Sequence, residues 1–167
     1  MSKPFRFRYT RAYDVFQDDN ADINYVTLED LYSKSDVITL HCPLTPDTKY
    51  IINEQSISKM KDGVILINSS RGALIDTKSL IKGLKQNKFH AVGLDVYERE
   101  SELFFVDRSK EIIDDDNLSI LKCFNNVIIT SHQAFLTDKA LEAIAIITFN
   151  NIKDYILGKE LKNEVKF

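Results

Sequence analysis

Metal-ligand spacing is missing from this sequence. Its two cysteines, Cys42 and Cys123, form no C-x-x-C and no cluster with histidine, which argues against a zinc site; metal is expected to play no part, and both thiols are expected to stay reduced. A basic excess is missing too: 22 Lys+Arg against 25 Asp+Glu leave a formal charge of −3, so no positive field draws the chain to nucleic acid or a membrane surface. The longest apolar runs, such as Val64-Ile65-Leu66-Ile67, fall far below the ~20 residues that a membrane helix needs. Residues 1–6 hold no apolar stretch of the secretory kind, so a cytoplasmic location is expected. Repeats, low-complexity tracts and Gly/Ser linkers are also lacking, and only five glycines and three prolines punctuate the chain. What remains is globular: 44% of the 167 residues are hydrophobic and 28% charged, and surface scaling lets about 70% of the extended chain's area be buried.

Local patterns predict alternating strands and helices. A short strand is expected over residues 11–14. Residues 27–34 suit a brief helix capped by Thr27. The run Asp36-Val37-Ile38-Thr39-Leu40-His41-Cys42 is apolar and β-branched and stops at Pro43, as a buried strand does. Asn53 caps a helix from Glu54 to Met60, and Gly63 restarts the chain into the strand Val64-Ile65-Leu66-Ile67-Asn68. Asp76 caps a third helix with Leu80, Ile81 and Leu84 on one face. Strands follow at 91–96 and 127–130. Residues 137–157 suit a long amphipathic helix striped by Leu141, Ile144, Ala145, Thr148, Ile152 and Tyr155. Short apolar strands without alternation, separated by helices, require a parallel sheet covered on both faces, so the expected fold class is doubly wound α/β.

A ligand crevice in such a sheet lies outside the carboxyl ends of its strands. The predicted ends are Asp14, His41-Cys42-Pro43, Ser69-Ser70-Arg71, Asp95 and Ser131-His132, nearly all polar. Each has a bland explanation when taken singly. Polar residues end strands and start turns, a lone arginine is usually a solvated charge, a lone histidine is more often structural than catalytic, and Glu100 stands in the acidic stretch 97–102.

Taken together they form a known pattern. Ala12-Tyr13-Asp14, Leu40-His41-Cys42-Pro43-Leu44-Thr45, Ile67-Asn68-Ser69-Ser70-Arg71-Gly72-Ala73-Leu74-Ile75-Asp76, Gly93-Leu94-Asp95-Val96-Tyr97-Glu98 and Ser131-His132-Gln133-Ala134-Phe135 follow one another in family order and spacing. From about Tyr13 to Val165 the chain resembles the D-isomer-specific 2-hydroxyacid dehydrogenases, and within them the D-lactate branch. The resemblance implies a Rossmann-like domain that binds NAD, and a small 2-oxo or 2-hydroxy acid as substrate. By position, Arg71 matches the arginine that takes the substrate carboxylate, a task suited to a planar guanidinium fork. His132 matches the acid/base, whose imidazole titrates near working pH, and Glu100 the carboxylate paired with it. Phe135 resembles the wall of a pocket for a small apolar side chain. Ser101, where other branches place proline, and Leu103-Phe104-Phe105 after it agree with the lactate branch. For the cofactor, Asp14 matches the acidic residue that accepts from the adenosine ribose and disfavours a 2′-phosphate. Cys42, Pro43 and Ser70 match positions lining the nucleotide, and Asp95 the residue at the nicotinamide carboxamide. His41 and Cys42 serve equally well as packing residues.

The pattern also breaks. No GxGxxG occurs anywhere in the sequence, although the family carries one just upstream of the strand ending in Asp14, where its turn and helix N-terminus hold pyrophosphate. The sheet is therefore expected to be incomplete, its first βα unit missing, with the Asp14 strand and the 37–42 strand both left with unpaired edges. Four outcomes stay open: the halves close up, residues 5–9 substitute with their Phe5/Phe7/Tyr9 alternation, another chain fills the gap, or the region is loose. The expected organisation is an atypical segment 1–10, a partial NAD-binding domain 11–131, and a segment 132–167 whose helix belongs to the substrate domain, in a fragment or truncated product capable of homo-oligomerisation. A catalytically inactive remnant or interaction module is the alternative to a dehydrogenase.

Overall fold

The computed structural model describes residues 10–18, 20, 22–100 and 114–166. The chain runs β1 (Arg11–Ala12), β2 (Asn24–Tyr25), α1 (Leu28–Lys34), β3 (Val37–Leu40), α2 (Glu54–Lys59), β4 (Val64–Asn68), a 3₁₀ turn (Gly72–Leu74), α3 (Thr77–Lys85), β5 (Phe89–Leu94), α4 (Asp116–Lys122), β6 (Val127–Ile129) and α5 (Asp138–Ile156). Strands β3, β4, β5 and β6 form one parallel sheet in sequence order. Leu40 pairs with Asn68, Asn68 with Leu94, and Leu94 with Ile129, so the carboxyl ends of all four strands are level. That alignment makes one continuous rim.

The helices start where side chains satisfy the first free N–H groups. Thr27 accepts from Asp30 N, Asn53 forms a capping box with Ser56, Asp76 accepts from Ser79 N, and Asp115 from Leu118 N. Each such cap contributes about 1 kcal/mol. The core lies between sheet and helices: Val64, Leu66, Leu80, Leu121 and Ile52 are all but sealed from solvent, each side chain stabilising the fold by roughly 1.5–3 kcal/mol. Gly83 lets α3 approach β5, since a Cβ there would stand 2.7 Å from the Phe89 ring.

Several expected boundaries move. β1 covers two residues, so Tyr13 and Asp14 lie past its end; β3 stops at Leu40, leaving His41 and Cys42 beyond it; β5 begins at Phe89 and closes at Leu94. Three elements had no expectation: β2, the 3₁₀ turn and α4. β2 has no apolar run and exists through backbone pairing, Arg11 with Asn24 and Ala12 with Tyr25, continued by Val26 N–H to Ala12 C=O at 2.9 Å. Among the described residues the β1–β2 pair is a sheet of its own, not bonded to β3. Residues 5–9, the candidate substitute strand, lie outside the described residues.

The chain divides into two compact units, Met1–His132 and Gln133–Phe167. In the second, Thr137 caps α5 by accepting from Ala140 N. Gly158, at φ +61°, ends the helix in the left-handed conformation that glycine adopts without steric cost. Asn163 then bonds back to Asn151 at 2.9 Å. No residue of α5 is buried, and Leu141, Ile144, Ile152 and Tyr155 are exposed. Among the described residues, no helix is long and apolar enough to cross a membrane.

Candidate active site

The loop after β4 is built around a buried amide. Asn68 is 1% exposed; its Nδ2 donates to the Arg71 carbonyl at 2.9 Å and its Oδ1 accepts from Ser70 N–H at 3.0 Å. One side chain thus closes the turn Asn68–Arg71. Ser70 Oγ donates to the Cys42 carbonyl at 2.7 Å and ties this loop to the one after β3. Arg71 is exposed and folds its Nη1 onto the Ser70 carbonyl at 2.8 Å. Gly72 follows because nothing larger fits: a Cβ would stand 2.0 Å from the Tyr97 carbonyl carbon and 2.5 Å from Glu98 N. The Arg71 loop therefore rests directly on the chain leading to Glu100.

On the neighbouring strand ends, Glu100 and His132 meet. Glu100 Oε1 lies 3.1 Å from His132 Nε2, with both side chains partly buried, while Glu100 Oε2 accepts from Tyr97 N–H at 2.8 Å. A carboxylate held on one oxygen by the backbone presents the other in a fixed direction. His132 is anchored through its own backbone N–H, which donates to the Asp95 carbonyl. Asp95 in turn donates from its N–H to the Asn68 carbonyl at 2.9 Å and accepts from Thr130 Oγ1 on its buried carboxylate. Ser131 and His132 both sit at positive φ, +52° and +59°, a left-handed pair costing non-glycine residues about 1–2 kcal/mol each. Strain of this kind persists where the surroundings fix it. Here the clamp onto Asp95 does so.

The remaining predicted residues sit on other segments of the chain. Asp14 is exposed beyond β1, its Oδ1 accepting from Phe16 N–H at 2.9 Å. Cys42 is half-buried and Pro43 exposed beyond β3, the Pro43 carbonyl accepting from Thr48 Oγ1 at 2.7 Å. Burial pushes the Cys42 thiol pKa up, with the Asp14 carboxylate adding to the rise, so the two side chains lie within electrostatic range. His41 Nε2 stands 2.9 Å from Thr39 Oγ1. Phe135 belongs to the second unit, where it is exposed in the turn closed by Leu136 N–H to the Gln133 carbonyl. Among the described residues no group of three His, Cys, Asp or Glu could hold a metal ion.

The structure adds residues that were not singled out. Asn68 and Gly72 shape the arginine loop. Tyr97, 3% exposed, donates to Asp115 Oδ1 at 2.9 Å, and burial, then that bond, raise its hydroxyl pKa; Arg99 reaches the same carboxylate at 3.4 Å. The one available sequence signal was an Asn at the end of an otherwise apolar strand, a polar group that burial obliges to find partners.

Residues 3–134 match the family profile described as D-isomer specific 2-hydroxyacid dehydrogenase, NAD binding domain; the match begins inside the N-terminal segment set apart above. A 2-hydroxyacid dehydrogenase homolog of Haemophilus influenzae is 49% identical over 157 residues, covering 92% of this chain and 47% of that protein. The D-lactate dehydrogenase of Escherichia coli is 46% identical over 143 residues, covering 86% and 44%. The crystal structure of TP0037 from Treponema pallidum, a D-lactate dehydrogenase, superposes with a TM-score of 0.84 at 34% identity over 95% of this chain and 49% of that one. The chain thus spans about half the length of the relatives it matches. With its four-stranded parallel sheet and its polar rim, it belongs to the D-isomer-specific 2-hydroxyacid dehydrogenases, whose NAD-binding domain it carries.

Proposed function

We propose that this chain supplies the cofactor-side half of a D-lactate-type dehydrogenase that reduces a small 2-oxo acid such as pyruvate with NADH. The observation carrying this reading is the Glu100–His132 contact of 3.1 Å on the same rim as the Arg71 loop. Arg71 binds the substrate carboxylate, and a bidentate grip orients the 2-carbon. His132 gives a proton to the 2-oxo oxygen, or takes it from the 2-hydroxyl in the reverse direction. Glu100, 3.1 Å from the imidazole Nε2, holds the ring's orientation. Phe135, exposed in the second unit, is the residue that the family pattern assigns to a methyl-sized group.

The donor set fits the two ends of NAD. Asp14 offers an exposed carboxylate to ribose hydroxyls, Cys42, Pro43 and Ser70 offer small groups and backbone along the rim, and Asp95 sits where β5 ends, for the carboxamide. The chemistry asked of a bound nicotinamide is hydride donation to the 2-carbon. A pyrophosphate cradle is not among the matching features, as the sequence has no GxGxxG.

Among the described residues the β1–β2 pair forms a sheet of its own, which favours a second reading: a remnant or interaction module without turnover. Steady-state oxidation of NADH with pyruvate, beside a fluorescence titration with NADH, separates the two. On the first reading the chain turns over, and His132→Ala lowers kcat by about 10²–10⁴-fold with folding intact. Turnover indifferent to that substitution sinks the assignment, and no saturable NADH signal below millimolar concentration favours the second.

A further inference from the structure

Three loops of the rim meet at one carboxylate that neither reading uses. Glu98 lies on the chain between β5 and Glu100. Its Oε1 accepts the Tyr50 hydroxyl, from the loop after β3, and its Oε2 accepts the backbone N–H of Thr77, the first residue of α3, at 3.3 Å. Tyr50 is also fastened to the arginine loop, since its N–H donates to the Ala73 carbonyl at 2.9 Å. Gly72 lies against Tyr97 and Glu98 so closely that a Cβ there would overlap their backbone. Through these contacts the Arg71 loop is tied on two sides to the segment that ends in Glu100.

Tyr50 adopts φ +55°, a left-handed conformation costing a non-glycine residue about 1–2 kcal/mol. Its ring packs 5.1 Å from the Lys49 ammonium. The hydrogen bond to Glu98 pushes the Tyr50 hydroxyl up to about 12, so it remains a protonated donor across the physiological range. Half-buried and strained, this tyrosine holds a fixed place through bonds to Ala73 and Glu98 and through its carbonyl, which accepts from Asn53 Nδ2 at 2.9 Å.

We propose that Tyr50 and Glu98 are positioning residues that set the separation between Arg71 and the Glu100–His132 pair, and thereby how tightly a 2-oxo acid is held. The proposal rests on Arg71 being the carboxylate anchor and His132 the acid/base. Neither Tyr50 nor Glu98 need touch the substrate. A short 2-oxo acid gripped at its carboxylate by one loop and at its 2-oxygen by another feels any spreading of the two, because near-attack geometry tolerates little displacement.

The test uses Tyr50→Phe, Glu98→Gln and the double variant, with Arg71→Lys as a control on the underlying reading. Each single variant is expected to raise the pyruvate KM about tenfold while the KM for NADH stays in place, and the double variant to do no more than either single, as a coupled pair requires. An unmoved pyruvate KM in both singles overturns the proposal, and so does a parallel rise in the NADH KM. If Arg71→Lys leaves the pyruvate KM unchanged, or the unaltered protein turns over no pyruvate, the functional reading has failed, and backbone amide exchange decides the positioning claim separately. Faster exchange confined to residues 71–77 and 97–100, at an unchanged urea midpoint, upholds it. Unchanged exchange there, or a falling midpoint, overturns it.

Discussion

Two regions of the molecule differ in how they are held. Along the segments that follow β4, β5 and β6, buried polar groups tie the described residues together: Asn68 to Ser70 and Arg71, Asp95 to Thr130, Asp115 to Tyr97. At the end of β1, Asp14 bonds within its own turn, Tyr13 and Phe16 are exposed, and a two-residue strand pairs with another two-residue strand. The first region has geometry fixed by hydrogen bonds whose loss inside a low-dielectric interior is costly. The second is shaped by short local bonds in water, which contribute little. The groups proposed for chemistry therefore stand on the rigid stretch, and the group proposed for the adenosine end stands on the weaker one.

The comparison breaks most severely at Gly72. Gly72→Ala forces a Cβ into the Tyr97 backbone, and the expected loss is about 3 kcal/mol or more, read as a collapse of the urea midpoint. Gly63, at positive φ with open space around it, is the contrasting site: alanine there is expected to cost about 1 kcal/mol. Equal losses at both would show that the Arg71 loop is no more tightly packed than a surface turn.

A smaller effect is expected at Asn68. Removing the amide in Asn68→Ala strands the Ser70 N–H and the Arg71 carbonyl, at about 1–3 kcal/mol, measured by chemical denaturation. An unchanged midpoint would mean that water replaces the amide and that the loop is not built on it.

The mildest test lies at Cys42, on the border between the two regions. Its raised pKa leaves less thiolate at a given pH, and only thiolate reacts with alkylating agents. Iodoacetamide labelling of Cys42, followed by mass spectrometry, is expected to run slower than labelling of free glutathione at pH 8, the gap narrowing as pH rises. Since Asp14 contributes to the rise, Asp14→Asn should speed the labelling slightly; no change would place the two strand ends further apart than the electrostatics imply.

Much of the scaffold was legible in advance. The strands at β3, β4 and β6 and the caps Thr27, Asn53 and Asp76 were readable because apolar runs and capping side chains act over a few residues. Arg71, Glu100 and His132 were singled out through motif order, and the structure brings Glu100 and His132, 32 positions apart, into contact. α4 escaped, although Leu118 and Leu121 are spaced for one helical face and Asp115 caps it. β2 escaped because backbone pairing leaves no apolar signature.

Sequence by itself determined the class of fold, the polarity of the rim and the chemical types placed along it, since periodicity, capping and strand-ending residues are encoded locally. Only the tertiary structure decided that β1 pairs with β2, that Gly72 admits no side chain, that Ser131 and His132 turn left-handed, and that Tyr50 reaches Glu98. The physical reason is range. Those features depend on which backbones pack together after the chain has folded, and residues 48 positions apart carry no local mark of the partner they will meet.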